Sequence, residues 1–258
     1  LDGVGNVVRP DFNSVYYKRL PDTSTRCGTP NTSGGQSGAK IGICIPFPNG
    51  LKMIAGSTLV PGQYGPANFR TDGGRQVYWN CYGTGAVSGR YANLQVAYNA
   101  SPICPNLQLV VEFPDCWDGQ YLWKVNRGHV VYDYDPNTDG IRRCPADHPY
   151  KITTVTIHYE WRTDVNWPTY KTAADDTDPT QPRGWSIHAD AWLVWAESIK
   201  QEFHANCINK HLNCSGGDLG SGRQLKGAQQ PTYGFTNPNR LTAISSLPMA
   251  DRPDMTGH

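Results

Sequence analysis

Eight cysteines in a chain of 258 residues constrain the fold more than any other feature of this sequence. None of them forms a C-x-x-C pair, which argues against a zinc ribbon or a thioredoxin-type site. An even number of cysteines at loop-closing separations predicts disulfides, which persist in oxidising compartments, and so predicts an exported protein. About a hundred pairings are possible, and the simplest joins sequential neighbours. That scheme gives Cys27–Cys44, Cys81–Cys104, Cys116–Cys144 and Cys207–Cys214.

The composition favours a turn-rich protein that still buries a core. Hydrophobic residues make up 38% of the chain and charged residues only 17%. Because there are 27 glycines and 20 prolines, we expect many turns and few long helices. Trp and Tyr far outnumber the 6 Phe, and such amphipathic rings often line grooves for carbohydrate, although most of them are expected in the core.

Charge and hydropathy argue against two classes of partner. The net charge is +1 and no run of Lys or Arg exceeds two residues, so we expect no strong nucleic-acid binding. No apolar stretch approaches the roughly 20 residues that span a bilayer, so no membrane span is expected. The chain opens with Leu1-Asp2-Gly3 and shows no signal peptide, so an exported form would have lost its leader.

Short alternating segments predict strands. The clearest is residues 107–113, whose alternate apolar positions share one face. In residues 152–161 the apolar alternation leaves His158 and Glu160 on the other face, where a solvated cross-strand contact is expected. Further strands are predicted at residues 51–56, 77–81, 94–98 and 129–134.

One helix is predicted at about residues 190–206. Its apolar stripe follows helical spacing and consists of Trp192, Trp195, Ile199 and Phe203. Many short strands followed by one helix exclude a doubly wound fold. We therefore expect a mainly β protein with a β-sandwich or jelly-roll-like core and one packed α-helix. Residues 1–217 would form a single β-rich domain, and residues 218–258 an extended C-terminal arm that lies against it.

The densest polar constellation contains Asp118, His129 and His148. If Cys116 bonds Cys144, Asp118 and His148 are held close together, because the Cα atoms of a disulfide lie about 5.5–6 Å apart. A structural alternative is also open, in which Asp118 caps the turn at Gly119 and His148 bonds a backbone carbonyl. The sequence therefore predicts proximity and leaves the role of the group open.

A second polar cluster lies in residues 184–192. In an extended segment, His188 and Asp190 would share a face. Asp190 could also be the N-cap of the predicted helix, worth roughly 1 kcal/mol. No comparable structural role explains an imidazole between Ile187 and Ala189.

Five ordered motifs resemble the DUF1996 family. They are FPNGLKMIAG, PDCWDG followed by HVVY, CPADHP, WSIHADAW and CINKHLNC, within a resemblance that runs from about residue 16 to residue 217. The family consists of secreted fungal and bacterial proteins of unknown function, in fungi often attached to WSC or other wall-associated modules. The resemblance implies export and a shared polar site that includes Trp117, Asp118, His129, His148, His188 and Asp190.

One part of the family pattern has no counterpart here. Family members usually carry a Ser-Gly-His-x-His type motif ahead of the region that begins this chain, whereas the first histidine here is His129. Three explanations for the missing motif are open: removal by processing, location on a separate chain, and loss in this member.

A bridged polar cluster among aromatic rings in an exported protein favours a carbohydrate-active enzyme, most simply a glycoside hydrolase acting on extracellular or cell-wall polysaccharide. Such chemistry needs one protonated and one ionised carboxyl group, for which Asp118 and Asp190 are the candidates. Nearby histidines would tune their pKa values or hold a substrate hydroxyl: His129, His148 and His188. The rings expected to stack on sugars are Trp117, Tyr132 and Trp185.

Two alternatives stay open. The same aromatic residues could bind glycans without catalysis, in an extracellular structural module or assembly. A zinc or copper site is ranked third, since its ligands would be widely spaced in the sequence: His129, His148, His188 and Asp190. No motif indicates a cofactor, a serine hydrolase, a zincin, a kinase or a dehydrogenase.

Overall fold

The computed structural model describes residues 1–17, 43–57, 76–134, 142–163, 167–172, 175, 180–210, 212, 214, 216–225 and 241–242. Strands predominate within these ranges, which confirms the mainly β prediction. The strands are β1 (Val7–Val8), β2 (Phe12–Tyr17), β3 (Ile43–Ile45), β4 (Leu51–Ser57), β5 (Val77–Tyr82), β6 (Asn106–Glu112), β7 (Cys116–Trp117), β8 (Val130–Val131), β9 (Tyr150–Ile152), β10 (Val155–Arg162), β11 (Ile187–Leu193) and β12 (Leu241–Thr242). The helices are α1 (Leu94–Ala100) and α2 (Glu197–Phe203), with a 3-10 turn at Trp167–Thr169 and a π-helical turn at His204–Ile208.

The described strands form four sheets. Two have four strands each, in the orders β2-β10-β6-β5 and β3-β9-β7-β8. The other two are the pairs β11-β4 and β1-β12. Except for the parallel pair β3-β9, all these strand pairs are antiparallel. Several of these pairs join distant segments, such as β4 with β11 and β2 with β10, so the topology depends on long-range pairing.

Inward-facing residues of several sheets form one apolar core. The β11-β4 pair contributes alternate residues such as Leu51, Met53 and Leu193, which are buried. They pack with Val111 of β6 and Ile152 of β9. Since each sheet presents one apolar face, packing the faces together removes them from water at about 25 cal/mol per Å².

Helix α2 is held by an aromatic cluster. The ring of Phe203 lies 5.6 Å from that of Trp195 and 6.1 Å from that of Tyr17. Trp195 in turn meets Phe47 edge-on at 5.7 Å. Such edge-on and tilted arrangements are the favoured ones for ring pairs. One packed helix in this position agrees with the predicted architecture.

Three of the predicted disulfides are confirmed. The Cα atoms are 5.2 Å apart in Cys81–Cys104, 5.4 Å in Cys116–Cys144 and 5.9 Å in Cys207–Cys214. Cys44 is also disulfide-bonded, and its predicted partner, Cys27, lies outside the described residues. Pairing of neighbours in the chain was therefore the correct choice for these three bridges.

Residues 94–98, predicted as a strand, begin helix α1 instead. The side chain of Asn93 accepts a hydrogen bond from the backbone N–H of Val96 at 2.8 Å, which is an N-cap interaction. Leu94 and Ala97 are buried at helical spacing. A capped start and an i, i+3 apolar pair outweigh the short apolar run that indicated a strand.

The predicted helix at 190–206 begins too early. Residues 187–193 form β11, which pairs with β4 over seven residues, and α2 begins only at Glu197. Asp190 is therefore not an N-cap, and Trp192 is exposed and does not belong to the buried stripe. The alternation of Ile187, Ala189 and Leu193 toward the core decides the structure here, because pairing with β4 buries that face.

Glu160 is buried, contrary to the solvated position predicted for it. Its Oε1 accepts a hydrogen bond from Gln108 Nε2 at 3.0 Å, and its Oε2 accepts one from the Tyr82 hydroxyl. Gln108 Nε2 also lies 3.2 Å from His158 Nδ1. The predicted cross-strand contact exists, but it is a packed polar network.

Little of the predicted C-terminal arm falls within the described residues. Strand β12 of that arm pairs with β1, with Val7 opposite Thr242. The boundary at residue 217 stays a prediction. Neither helix of the described ranges has the length and apolarity needed to cross a bilayer.

We expect Asn93→Ala to lower the free energy of unfolding by about 1 kcal/mol, because α1 loses its N-cap. Urea denaturation followed by tryptophan fluorescence measures this change. Asn93→Ser, which keeps a side-chain oxygen at the N-cap, is the control and should change stability little. An equal loss in both variants would contradict a specific capping role.

Candidate functional site

Asp118 organises the turn that follows β7. Its Oδ1 accepts hydrogen bonds from the backbone N–H groups of Gln120 (2.9 Å) and Tyr121 (3.0 Å), and its Oδ2 pairs with Lys124 Nζ at 2.8 Å. Gly119 has φ +79°, and a Cβ there would lie 2.2 Å from a ring carbon of Tyr150, so only glycine fits. This is the turn-capping role that the sequence left open for Asp118.

The carboxyl group of Asp118 is stabilised in its ionised form. Partial burial opposes ionisation, but the hydrogen bonds from Lys124, Tyr121 and Gln120 outweigh it and lower the pKa of Asp118 below 3.8. At neutral pH this group is a carboxylate. It therefore has the charge needed for a general base or a nucleophile and not the proton needed for a general acid.

His129 contacts Asp118 directly, and His148 contacts the residue before His129. The backbone N–H of Asp118 donates to the carbonyl of His129 at 3.0 Å, and His148 Nε2 lies 3.2 Å from the carbonyl oxygen of Gly128. His148 Nδ1 lies 3.1 Å from Asp147 Oδ1. Both histidines are buried, so the first constellation is compact but closed to solvent at its imidazoles.

His129 contacts the edge of β4 that does not pair with β11. Its Nε2 lies 2.6 Å from the carbonyl oxygen of Lys52, and Arg127 donates to the carbonyl of Gly56 at 3.0 Å. Burial lowers the pKa of His129 despite the backbone hydrogen bond, which favours the neutral imidazole. These two side chains satisfy carbonyl groups that an edge strand would otherwise leave unpaired.

His188 and Asp190 share the outer face of β11, as predicted for an extended segment. Both are exposed, and His188 Nε2 lies 3.7 Å from Asp190 Oδ2. Strand β4 separates them from the first constellation, because β11 pairs with one edge of β4 and residues 121–129 cover the other. The structure thus brings the predicted residues to two neighbouring places and not into one cluster.

The rings predicted to stack on sugars are poorly placed for that role. Tyr132 is buried, and its hydroxyl donates to the carbonyl of Glu112 at 2.7 Å. Trp185 is also buried. Trp117 is half-buried against the apolar core, with its Nε1–H donated to the carbonyl of Tyr121 at 2.7 Å. None of the three presents an open ring face.

Three other exposed rings belong to β11 or to the segment beside β4. Trp192 is 67% exposed, Tyr121 49% and Trp123 39%. Sequence reasoning missed Trp192 because it assigned this residue to a buried helical stripe. It missed Tyr121 and Trp123 because they lie in a turn region without periodicity. The pairing of β11 with β4 was the missing information.

These rings lie on adjoining segments. Lys52 of β4 pairs in register with Trp192, and its Nζ lies 4.8 Å from the centre of a Trp192 ring. The backbone N–H of Lys52 donates to the carbonyl of Leu122 at 2.9 Å, which joins residues 121–123 to the other edge of β4. We call the group of Lys52, Tyr121, Leu122, Trp123 and Trp192 the aromatic surface.

A buried ionic group was also missed. Lys151 pairs with Asp115 and with Asp133, the latter at 2.8 Å, and all three are buried. Asp133 also pairs with Arg142 at 2.7 Å. The sequence offered no signal that Lys151 would point inward between two carboxylates.

No metal site emerges from the described residues, since no three His, Cys, Asp or Glu side chains among them are grouped to hold an ion. The third hypothesis, a metal centre at His129, His148, His188 and Asp190, gains no support from this geometry.

A family model described as a domain of unknown function, DUF1996, matches residues 7–195, which is most of the chain. The chain belongs to this family. The matched region contains the aromatic surface, the constellation of Asp118, His129 and His148, the pair His188–Asp190 and the buried ionic group. Helix α2 lies beyond it. No curated protein and no solved structure matches the chain significantly.

We expect Asp118→Asn to lower the free energy of unfolding at pH 7 by about 0.5–1 kcal/mol, because the ion pair with Lys124 is lost. The pKa of Asp118 is lower in the folded protein than its ordinary value of 3.8, so its stabilising contribution is present above pH 3.8 and lost as the pH falls through the folded-state value. The difference between variant and wild type should therefore shrink in acid.

Urea denaturation of both proteins at several pH values measures this difference. Asp190→Asn, at an exposed aspartate, is the control and should be nearly neutral throughout. A deficit in Asp118→Asn that does not change with pH would contradict the assigned cause.

Proposed function

We propose that this chain is an exported carbohydrate-binding protein that holds extracellular polysaccharide on its aromatic surface. The observation that carries the proposal is Trp192, a large ring 67% exposed on the outer face of β11. Lys52 lies beside it, and the exposed Tyr121 and Trp123 belong to the segment that is hydrogen-bonded to the other edge of β4. Contiguous exposed apolar area of this kind marks interaction sites on soluble proteins.

The chemistry of the surface suits a sugar. Tryptophan and tyrosine offer an apolar face to the C–H groups of a pyranose ring and polar atoms at their edges. Lys52 and the exposed pair His188–Asp190 lie on the same β11-β4 sheet as Trp192 and can hydrogen-bond hydroxyl groups. An aromatic platform with polar neighbours is the usual design of a site for a neutral or weakly charged glycan.

Export supports the choice of ligand. The described residues contain three disulfides, and bonds of this kind persist in oxidising compartments. An exported protein meets wall and matrix polysaccharides.

A glycoside hydrolase is the second candidate, favoured by the open carboxylate of Asp190 beside His188 and Trp192. The reaction normally needs two carboxyl groups flanking one bond. The carboxylate of Asp118 is already committed to Lys124 and two backbone N–H groups, and β4 lies between it and Asp190. Binding therefore ranks before hydrolysis.

For the binding function, we expect Trp192→Ala to weaken affinity for a bound polysaccharide by about 1 kcal/mol, roughly a fivefold rise in Kd. Isothermal titration calorimetry with soluble fragments of the glycan, identified by pull-down on insoluble wall and matrix polysaccharides, measures it. Tyr16→Ala is the matched control, since Tyr16 is a similarly exposed aromatic residue on a different sheet. Equal losses in both variants, or no binding by the wild type, would overturn the proposal.

The hydrolytic candidate requires that the wild type release new reducing ends from its glycan and that Asp190→Asn release almost none. Asp147→Asn is the matched control, because Asp147 is also an exposed carboxylate beside a histidine. Absence of reducing ends with the wild type, or unchanged release by Asp190→Asn, would eliminate hydrolysis at this position.

A further inference from the structure

Lys151 occupies an unusual position for a lysine. Its ammonium group is buried together with the carboxyl groups of Asp115 and Asp133, which it contacts directly. Lysine is almost never fully buried unless it is paired, and here two carboxyl groups face one amine. The aromatic surface and its proposed function make no use of this group.

Lys151 lies in β9, whereas Asp115 directly precedes β7 and Asp133 follows β8. Lys151 of β9 lies in register with Cys116 of β7, the residue after Asp115, and the backbone N–H of Ile152 donates to the carbonyl of Asp115 at 2.9 Å. The backbone N–H of Asp133 donates to Asp115 Oδ1 at 3.2 Å. Groups fixed in contact by neighbouring strands react as if at very high concentration.

The two carboxyl groups differ in electrostatic environment. Burial and the charge of Asp133 raise the pKa of Asp115 against the pull of Lys151, which favours its protonated form. For Asp133, burial is outweighed by Lys151 and Arg142, and its pKa falls to about 2. Asp115 is thus inclined toward the neutral acid, and Asp133 is a carboxylate in contact with the ammonium group that must lose a proton. Burial opposes the charge of Lys151, but the two aspartates outweigh it and raise the pKa of Lys151. The ammonium is therefore the resting form, and proton transfer to Asp133 is the slow step.

Polar contacts on Asp115 match what an acyl substitution needs. The N–H of Asp133 points at Oδ1, where negative charge would develop, and the hydroxyl of Thr154 donates to Oδ2 at 2.7 Å. Donors fixed at the site of developing charge stabilise a tetrahedral intermediate. Lys151 contacts Oδ2, which places its nitrogen beside the carboxyl group that it would attack.

We propose that the side chains of Lys151 and Asp115 condense within the folded protein to form an isopeptide bond, with Asp133 as the base.

The reaction balances without any other reactant. The Lys151 ammonium gives one proton to the Asp133 carboxylate, and the free amine attacks Cγ of protonated Asp115. The Nζ–Cγ bond forms and the Cγ–Oδ2 bond breaks. Oδ2 leaves with its own hydrogen and a second hydrogen from the nitrogen, as one water molecule. An amide N–H remains on Nζ, and Asp133 keeps the first proton. Burial of the site disfavours the reverse hydrolysis.

A second lysine–aspartate pair provides an internal comparison. Lys124 and Asp118 lie 2.8 Å apart, the same separation as Lys151 and Asp133, but Lys124 is partly exposed. Asp118 is held as a carboxylate by its hydrogen-bond donors, which makes it a poor acyl donor. We therefore expect condensation at the buried group and not at this pair.

Mass spectrometry tests the proposal directly. After full reduction, alkylation of the cysteines and removal of any N-linked glycan, the intact wild type should be one water molecule lighter than its sequence requires. Trypsin does not cut after an acylated lysine, so digestion should yield peptide 144–162 joined to peptide 91–124. A full sequence mass, with separate peptides 144–151 and 152–162, would overturn the proposal and leave the group an ion pair.

Variants assign the roles. Asp133→Asn should retain its β-rich circular dichroism and show the full sequence mass, because the base is gone. Lys151→Arg, which keeps a positive charge but is not expected to condense, should also show the full mass. Lys124→Arg is the matched control and should still lose one water. Condensation in Asp133→Asn would eliminate Asp133 as the base, and loss of condensation in Lys124→Arg would contradict the assigned pair. The wild-type mass tests the proposal by itself, so the test does not depend on whether the variants fold.

Discussion

The antiparallel pairing of β4 with β11 is the interaction on which the rest of the structure depends. Its seven-residue register sends Leu51, Met53 and Leu193 into the core. Because side chains alternate in a strand, the same register sends His188, Asp190 and Trp192 outward. A slip of one residue would exchange these faces and bury the charged groups. The register of β4 with β11 therefore determines both the core and the aromatic surface.

The edge of β4 that does not pair with β11 explains the structural role of the constellation of Asp118, His129 and His148. Residues 121–129 cover this edge, with backbone and side-chain groups satisfying its free N–H and carbonyl groups. His129, which suggested a catalytic role, has this structural task. The turn set by Asp118 begins the covering segment and carries Tyr121 and Trp123 beside β4. The polar constellation thus holds in place the segment that carries Tyr121 and Trp123 of the aromatic surface.

Features with a local cause were predictable from the sequence. The three described disulfides follow from chain proximity, and the strand at β6 follows from strict alternation. The outward pair His188–Asp190 needed only an extended backbone. Features decided by a distant segment were not predictable. The stripe that contains Trp192 fits helical spacing in isolation, and only β4, far away in the chain, makes that stretch a strand. The inward position of Lys151 likewise depends on Asp115 and Asp133, which lie next to neighbouring strands, and no periodic pattern encodes that contact.

Helix α2 has a consequence for where a DUF1996 unit ends. The family match stops at Trp195, yet Phe203 of α2 packs on that ring, and Trp195 also contacts Tyr17 and Phe47. A polypeptide that ends at the family boundary would expose one side of this aromatic cluster. The exposed apolar area would promote association with other molecules. Helix α2 therefore lies outside the family match but covers Trp195, the last tryptophan within it.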